Sequence, residues 1–153
     1  AVGTICPGFD EGSANTGPHV GVPRMPVNGP WLNNNFNHRR EQPWRTYGKV
    51  ASIGAPGPSM LWVLVDEDSK GLNDAAFAFG MEWPAWYDLP GSYHADGCGL
   101  AFADGHSETH KWRVRPDSTG RQERITDAVG IADWEWMRER TSALVNGNLP
   151  APR

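Results

Sequence analysis

A chain of 153 residues with a net charge of −4 has room for one domain, residues 1–153, and lacks the basic footprint that nucleic acid requires. No apolar run approaches the roughly 20 residues that span a bilayer. Eighteen Gly and thirteen Pro predict long ordered loops instead of a helical bundle, and eight Trp spread along the chain argue against disorder.

Residues 1–28 read as loop, with Gly, Pro, Asn and Ser recurring and no lasting period. His19 in it reads as a solvated loop residue. In the Asn-rich stretch 31–38, Trp31 and Phe36 are expected to plug the core. Residues 49–53 lead to the breaker Pro56-Gly57-Pro58. Met60 to Val65 is then a nearly continuous apolar run, read as a central strand buried on both faces. Ala75 to Phe79 is a shorter strand, expected to be its hairpin partner.

Trp83 to Pro90 is an aromatic loop that two prolines keep out of a helix interior or central strand. Cys98, Leu100 and Phe102 alternate with Gly99, Ala101 and Ala103. Beyond Asp104-Gly105, residues His106, Glu108, His110 and Trp112 alternate with Ser107, Thr109 and Lys111. Period two on both sides predicts a hairpin, with Asp104-Gly105 as a two-residue type I′ loop. Residues 113–127 read as a connection. Ile131 to Val145 reads as the one clear helix, with Asp133 as N-cap and Trp134, Met137, Thr141, Leu144 and Val145 as its buried stripe. Arg138 and Arg140 are expected in solvent, and the tail after Asn146-Gly147 is expected to fray.

Three places can carry chemistry. Asp66, Glu67, Asp68 and Asp74 gather hard oxygen ligands between two strands. They read either as a calcium loop, with His94 as a further ligand, or as a solvated acidic turn; Phe77 at the twelfth position excludes an EF-hand. His106, Glu108 and His110 share one strand face, expected opposite Ala103, Ala101 and Gly99. Two imidazoles and a carboxylate suit zinc, but His106 and His110 stand about 13 Å apart along a strand, so a solvated face is the stronger reading. Trp83, Trp86 and Tyr87 sit together on the stiffened loop. They read either as rings covering the sheet, as a protein contact, or as a platform for polysaccharide. No Gly-x-Ser-x-Gly elbow and no glycine-rich phosphate loop before a helix occurs, so no catalytic residue is assigned.

The hairpin and its surroundings also carry a family resemblance. His94, nine residues, then Asp104-Gly105 resembles the C-terminal signature of the prepilin-type, processing-associated domain of pilin-like proteins (pseudopilins). Cys6-Pro7, residues 24–32 ending in Asn28-Gly29-Pro30-Trp31-Leu32, Pro58-Ser59 with the apolar strand to Asp66-Glu67, Asn73-Asp74, Asp88-Leu89-Pro90 and Ser92-Tyr93-His94 resemble further segments in the same order. Pro30 is an insertion. Such proteins carry a basic leader and a long apolar anchoring helix, so residues 1–153 are expected to be either a soluble head cut from that stem or a free-standing relative.

The resemblance implies an α+β fold: an antiparallel sheet of about four to six strands, long ordered loops and one C-terminal helix. It implies a non-enzymatic structural or adaptor component of a type II secretion-like pseudopilus or surface appendage. Its partners would be other pilin-like subunits or secretion-system proteins, its location extracellular, at the cell surface or periplasmic, and a structural metal is expected. In that context Cys6 and Cys98 either form a disulfide, closing a loop of about 90 residues worth roughly 4–5 kcal/mol at most, or remain two buried thiols. Since the signature's two halves fall at opposite ends of a strand, His94 and Asp104 are expected to be architectural, not a catalytic dyad.

Overall fold

A computed structural model of the chain describes residues 2–4, 44–45, 47, 50–70, 77, 79–116, 123–144 and 146–148. The expectations for Cys6, His19, Trp31, Phe36, Asp74 and Val145 concern residues outside this set. The elements are β1 (Val2–Thr4), a 3₁₀ turn (Val50–Ser52), β2 (Trp62–Asp66), β3 (Ala85–Trp86), β4 (Gly97–Phe102), β5 (Ser107–Lys111), β6 (Glu123–Arg124) and α1 (Ala128–Arg138).

The architecture is α+β. An antiparallel sheet runs β1-β2-β4-β5, and β3 pairs with β6 in a separate two-stranded ribbon. The body of the main sheet is three strands, β2, β4 and β5, with the three-residue β1 at one edge. That is smaller than the four to six strands expected. Of the expected hairpin partner, the described residues are Phe77, which is in no strand, and Phe79, which makes an isolated bridge to Trp86 and not to β2. β2 is not buried on both faces either. Trp62 and Val65 are buried while Val63 and Leu64 are half-covered. The pairing shifts between Trp62↔Phe102 and Leu64↔Ala101, so a bulge at Val63 lets Trp62 and Val65 both face the core.

One sheet face is covered by α1 and the aromatic loops. Trp62, Leu100, Phe102, Trp86, Trp112 and Trp134 meet there in one cluster. The helix starts earlier than expected. Asp127 is its N-cap, accepting from Gly130 N at 2.6 Å. A Cβ at position 130 would lie 2.8 Å from both Asp127 Oδ2 and Ile125 Cγ2, so glycine is what lets this first turn close. Asp133 is a buried mid-helix residue instead. Its Oδ2 accepts from Arg113 N (2.7 Å) and Val114 N (3.1 Å). The helix stops at Arg138, short of the expected Val145. Thr141 beyond it is fully buried, accepts from Trp62 Nε1 at 2.9 Å and donates to Met137 O at 2.8 Å. Arg138 is not in solvent. Only 3% exposed, it donates from Nε to Met81 O and lies 5.2 Å from the Trp134 ring. Arg140 is half-buried, 4.1 Å over Trp136.

The hairpin exists, but its loop has three residues. Phe102 N donates to His106 O and Gly105 N to Phe102 O, with Gly105 at φ +95°. That matches the common three-residue loop ending on a left-handed glycine. The consequence is a one-residue register change. Glu108 faces Leu100 and His110 faces Cys98, while Thr109 faces Gly99 and Ser107 faces Ala101. Side-chain period is two, so every β5 side chain moves to the opposite sheet face from the one expected.

The two-residue turn lies instead at Ala95-Asp96. His94 and Gly97 exchange both backbone hydrogen bonds (3.1 and 3.0 Å), and Ala95 and Asp96 sit at φ 53° and 64°. An alanine there is strained by about 1–2 kcal/mol, part of which glycine returns through a looser unfolded chain. Ala95→Gly is therefore expected to stabilise the fold by about 0.5–1 kcal/mol, read as a Tm rise of roughly 2 °C in calorimetry.

Candidate functional site

The signature residue His94 and the acidic strand end meet on the open face of the sheet. Asp66, last residue of β2, points to that face, and its Oδ2 accepts from Gly99 N at 3.0 Å and lies 3.1 Å from His94 Nε2. The approach depends on small neighbours. A Cβ on Gly99 would fall 2.7 Å from Asp66 Oδ2, and one on Gly91 would fall 3.1 Å from the Tyr93 ring and 3.2 Å from Asp66 Cβ. The backbone follows the same seam: Gly91 N donates to Asp66 O and Asp68 N to Leu89 O. Tyr93 closes it from outside, its hydroxyl accepting from Ser69 N at 2.7 Å. The His94 side chain is 58% exposed, so the ion pair is solvent-screened and acts as a positioning contact more than a stabilising one.

Strand alternation separates the remaining acidic residues. Glu67 turns inward and is fully buried. Asp68 caps the next turn, Oδ1 accepting from Lys70 N at 2.9 Å. Of the described residues Asp66, Glu67, Asp68 and His94, Asp66 and His94 are brought together, and Asp74 lies outside the described residues. Among the described residues, no three His, Cys, Asp or Glu side chains converge as a metal-binding group. Two ligands do not satisfy calcium, which takes six to eight oxygens. Among the described residues, Asp66 and His94 thus supply fewer donors than calcium takes, and His106, Glu108 and His110 on β5 do not converge as a metal-binding group. There His106 stacks on Phe102 (4.3 Å) with Nδ1 2.5 Å from Asp104 Oδ1, while His110 stacks on Trp136 (3.7 Å). The His106 hydrogen bond holds the Asp104 carboxyl below its usual range.

Cys98 carries a free thiol, buried beneath the seam, with Sγ 3.3 Å from Asp66 O. Burial, then the Asp66 charge, pushes this thiol up to about 12, which keeps it protonated and a poor nucleophile. No hydroxyl or thiol hydrogen-bonds His94 among the described residues, and its side-chain partner there is Asp66. Trp86 (7% exposed) and Tyr87 (8%) are buried, and half-buried Trp83 packs on Ala85 and Tyr87. Trp86 and Tyr87 thus cover the core, and Trp83 keeps a partly exposed face. Beside Asp66, the open face holds a shallow groove of about 430 Å³ over Leu64, Gly99, Ala101, Ser107 and Thr109.

No protein-family model, curated protein or solved structure matches this chain. No described helix is long and apolar enough to cross a membrane. The residues missed from sequence were Tyr93, Gly91 and Asp133. Only Tyr93, inside a segment already marked by resemblance, carried a local signal.

Proposed function

We propose that the chain is the head of a pilin-like subunit, a non-enzymatic structural or adaptor component of a secretion pseudopilus or surface appendage outside the cytoplasm. One observation carries this reading. His94, from one segment of the resemblance, bonds Asp66, from another, while Asp104-Gly105 turns the hairpin between β4 and β5. Among the described residues of the resemblance, Asp66, His94 and Asp104-Gly105 thus tie strands and a turn together, which is how a scaffold uses polar residues. Sheared surface filaments from the source cells, analysed by mass spectrometry, are expected to contain the chain alongside other pilin-like subunits. Its confinement to the cytosol would refute the reading, as would turnover of a glycoside, ester or peptide that Asp66→Asn abolishes.

A further inference from the structure

β5 is the last strand of the sheet, and no described element covers its outer edge. Its residues other than His110 are exposed, and it contains neither proline nor a bulge in its pairing with β4. Phe102 N donates to His106 O at one end of the pair and Trp112 N to Asp96 O at the other. Hydrogen-bonded and non-bonded positions alternate along an antiparallel ladder, so His106, Glu108, His110 and Trp112 turn their backbone groups toward β4. Ser107, Thr109 and Lys111 turn theirs outward, a row of three donors and three acceptors that is unpaired among the described residues.

We propose that this edge pairs with the same edge of a second copy, antiparallel, about a two-fold axis through Thr109. In that register the whole of β5 is complementary to itself. Thr109 then faces Thr109 of the other copy, and Ser107 faces Lys111, giving three bonded pairs with two hydrogen bonds each. Between them Glu108 faces His110, and the small Ser107 leaves room for the Lys111 chain. Moving the register by two residues one way places Glu108 opposite Glu108, a like-charge pair that is unfavourable, and moving it the other way places His110 opposite His110 and gives up the Glu108–His110 pair. A two-fold contact of this kind closes on itself, so it yields a dimer with a continuous sheet and not an open aggregate. This proposal rests on the strand edge and is independent of the pilin reading.

Sedimentation of the 153-residue chain over a concentration series tests it. A monomer–dimer equilibrium is expected, weakened roughly tenfold or more in Thr109→Pro, which removes the two hydrogen bonds at the axis. The proline is compatible with the fold because the Thr109 N–H faces away from β4. A monomer at every concentration, or a dimer indifferent to Thr109→Pro, overturns the proposal. If that variant does not fold, amide exchange in the unaltered chain decides. Slowing with concentration confined to Ser107, Thr109 and Lys111 supports the edge contact, and unchanged exchange there rejects it.

Discussion

Trp134→Ala is expected to lower the unfolding free energy by about 3–5 kcal/mol, the range for truncating a buried Trp. Trp134 is fully buried on the inner side of α1. Its ring stacks on Phe79 at 6.0 Å and 18°, its Nε1 donates to Gly80 O at 3.1 Å, and the Arg138 guanidinium lies 5.2 Å from it. Alanine removes the ring and leaves a cavity that the sheet and helix cannot both close. It also takes the ring from beneath Arg138, whose charge burial already disfavours. Domain stabilities are typically about 5–15 kcal/mol, so this one change removes a large share. Urea unfolding measures it. Trp134→Phe, which keeps one aromatic ring and loses the Nε1 bond and the rest of the indole, should be milder. A loss below about 1 kcal/mol for Trp134→Ala would mean that α1 is not docked through this residue.

The second large effect is at Asp133, which fastens the segment after β5 to the helix. Asp133→Ala is expected to lose about 2–4 kcal/mol, because two backbone N–H groups, of Arg113 and Val114, lose a charged acceptor. The other oxygen, Oδ1, lies 3.6 Å from His110 Nε2, too long for a hydrogen bond and close enough for Coulomb attraction. His110 is wedged between Trp136 (3.7 Å, stacked) and Trp112 (4.6 Å, edge-on). Burial lowers its proton affinity, and Arg140 lowers it further, while Asp133 and Glu108 oppose the shift. The folded state therefore binds this proton less readily than the unfolded state. Stability from His110 is complete above the unfolded value near 6.5 and falls as pH drops from there toward the lower folded value. His110→Phe, which keeps the stack, should flatten that dependence. Asp133→Ala should steepen it, since the main opposing charge is gone. Denaturant midpoints between pH 7 and 5 read out both, and a wild-type midpoint that rises on acidification would contradict the assignment.

The particular residues show where legibility stopped. The separation of His94 from Asp104 was readable, because the ends of one strand cannot meet. The partner of His94 was not. Asp66 lies on a strand with no hairpin link to β4, so its approach depends on which strands become neighbours. The hairpin itself was readable from period two, yet its register was not. Asp-Gly fits both a two-residue type I′ loop and the end of a three-residue loop, and only the closure by Phe102 and His106 selects the latter. The helix was visible from its Trp134 and Met137 spacing. Its start was misplaced because glycine usually disfavours a helix interior, whereas Gly130 is needed beside Asp127 and Ile125. Arg138 read as solvent-facing because charge is usually exposed; a slot beside Trp134 and the Met81 carbonyl received it.

By itself, then, the amino-acid order determined what short-range physics determines: the existence of the β4–β5 hairpin and of α1, and the lack of a recognisable catalytic motif. Those features follow from side-chain period and turn chemistry within about ten residues. The tertiary structure alone decided that Asp66 meets His94 while Glu67 turns inward, which face β5 shows to α1, and that Trp86 and Tyr87 are buried. Each of those depends on a register or a strand neighbour. A change of one residue there reverses a whole face, and the choice is made by how the aromatic core packs across distant segments, not by local preference.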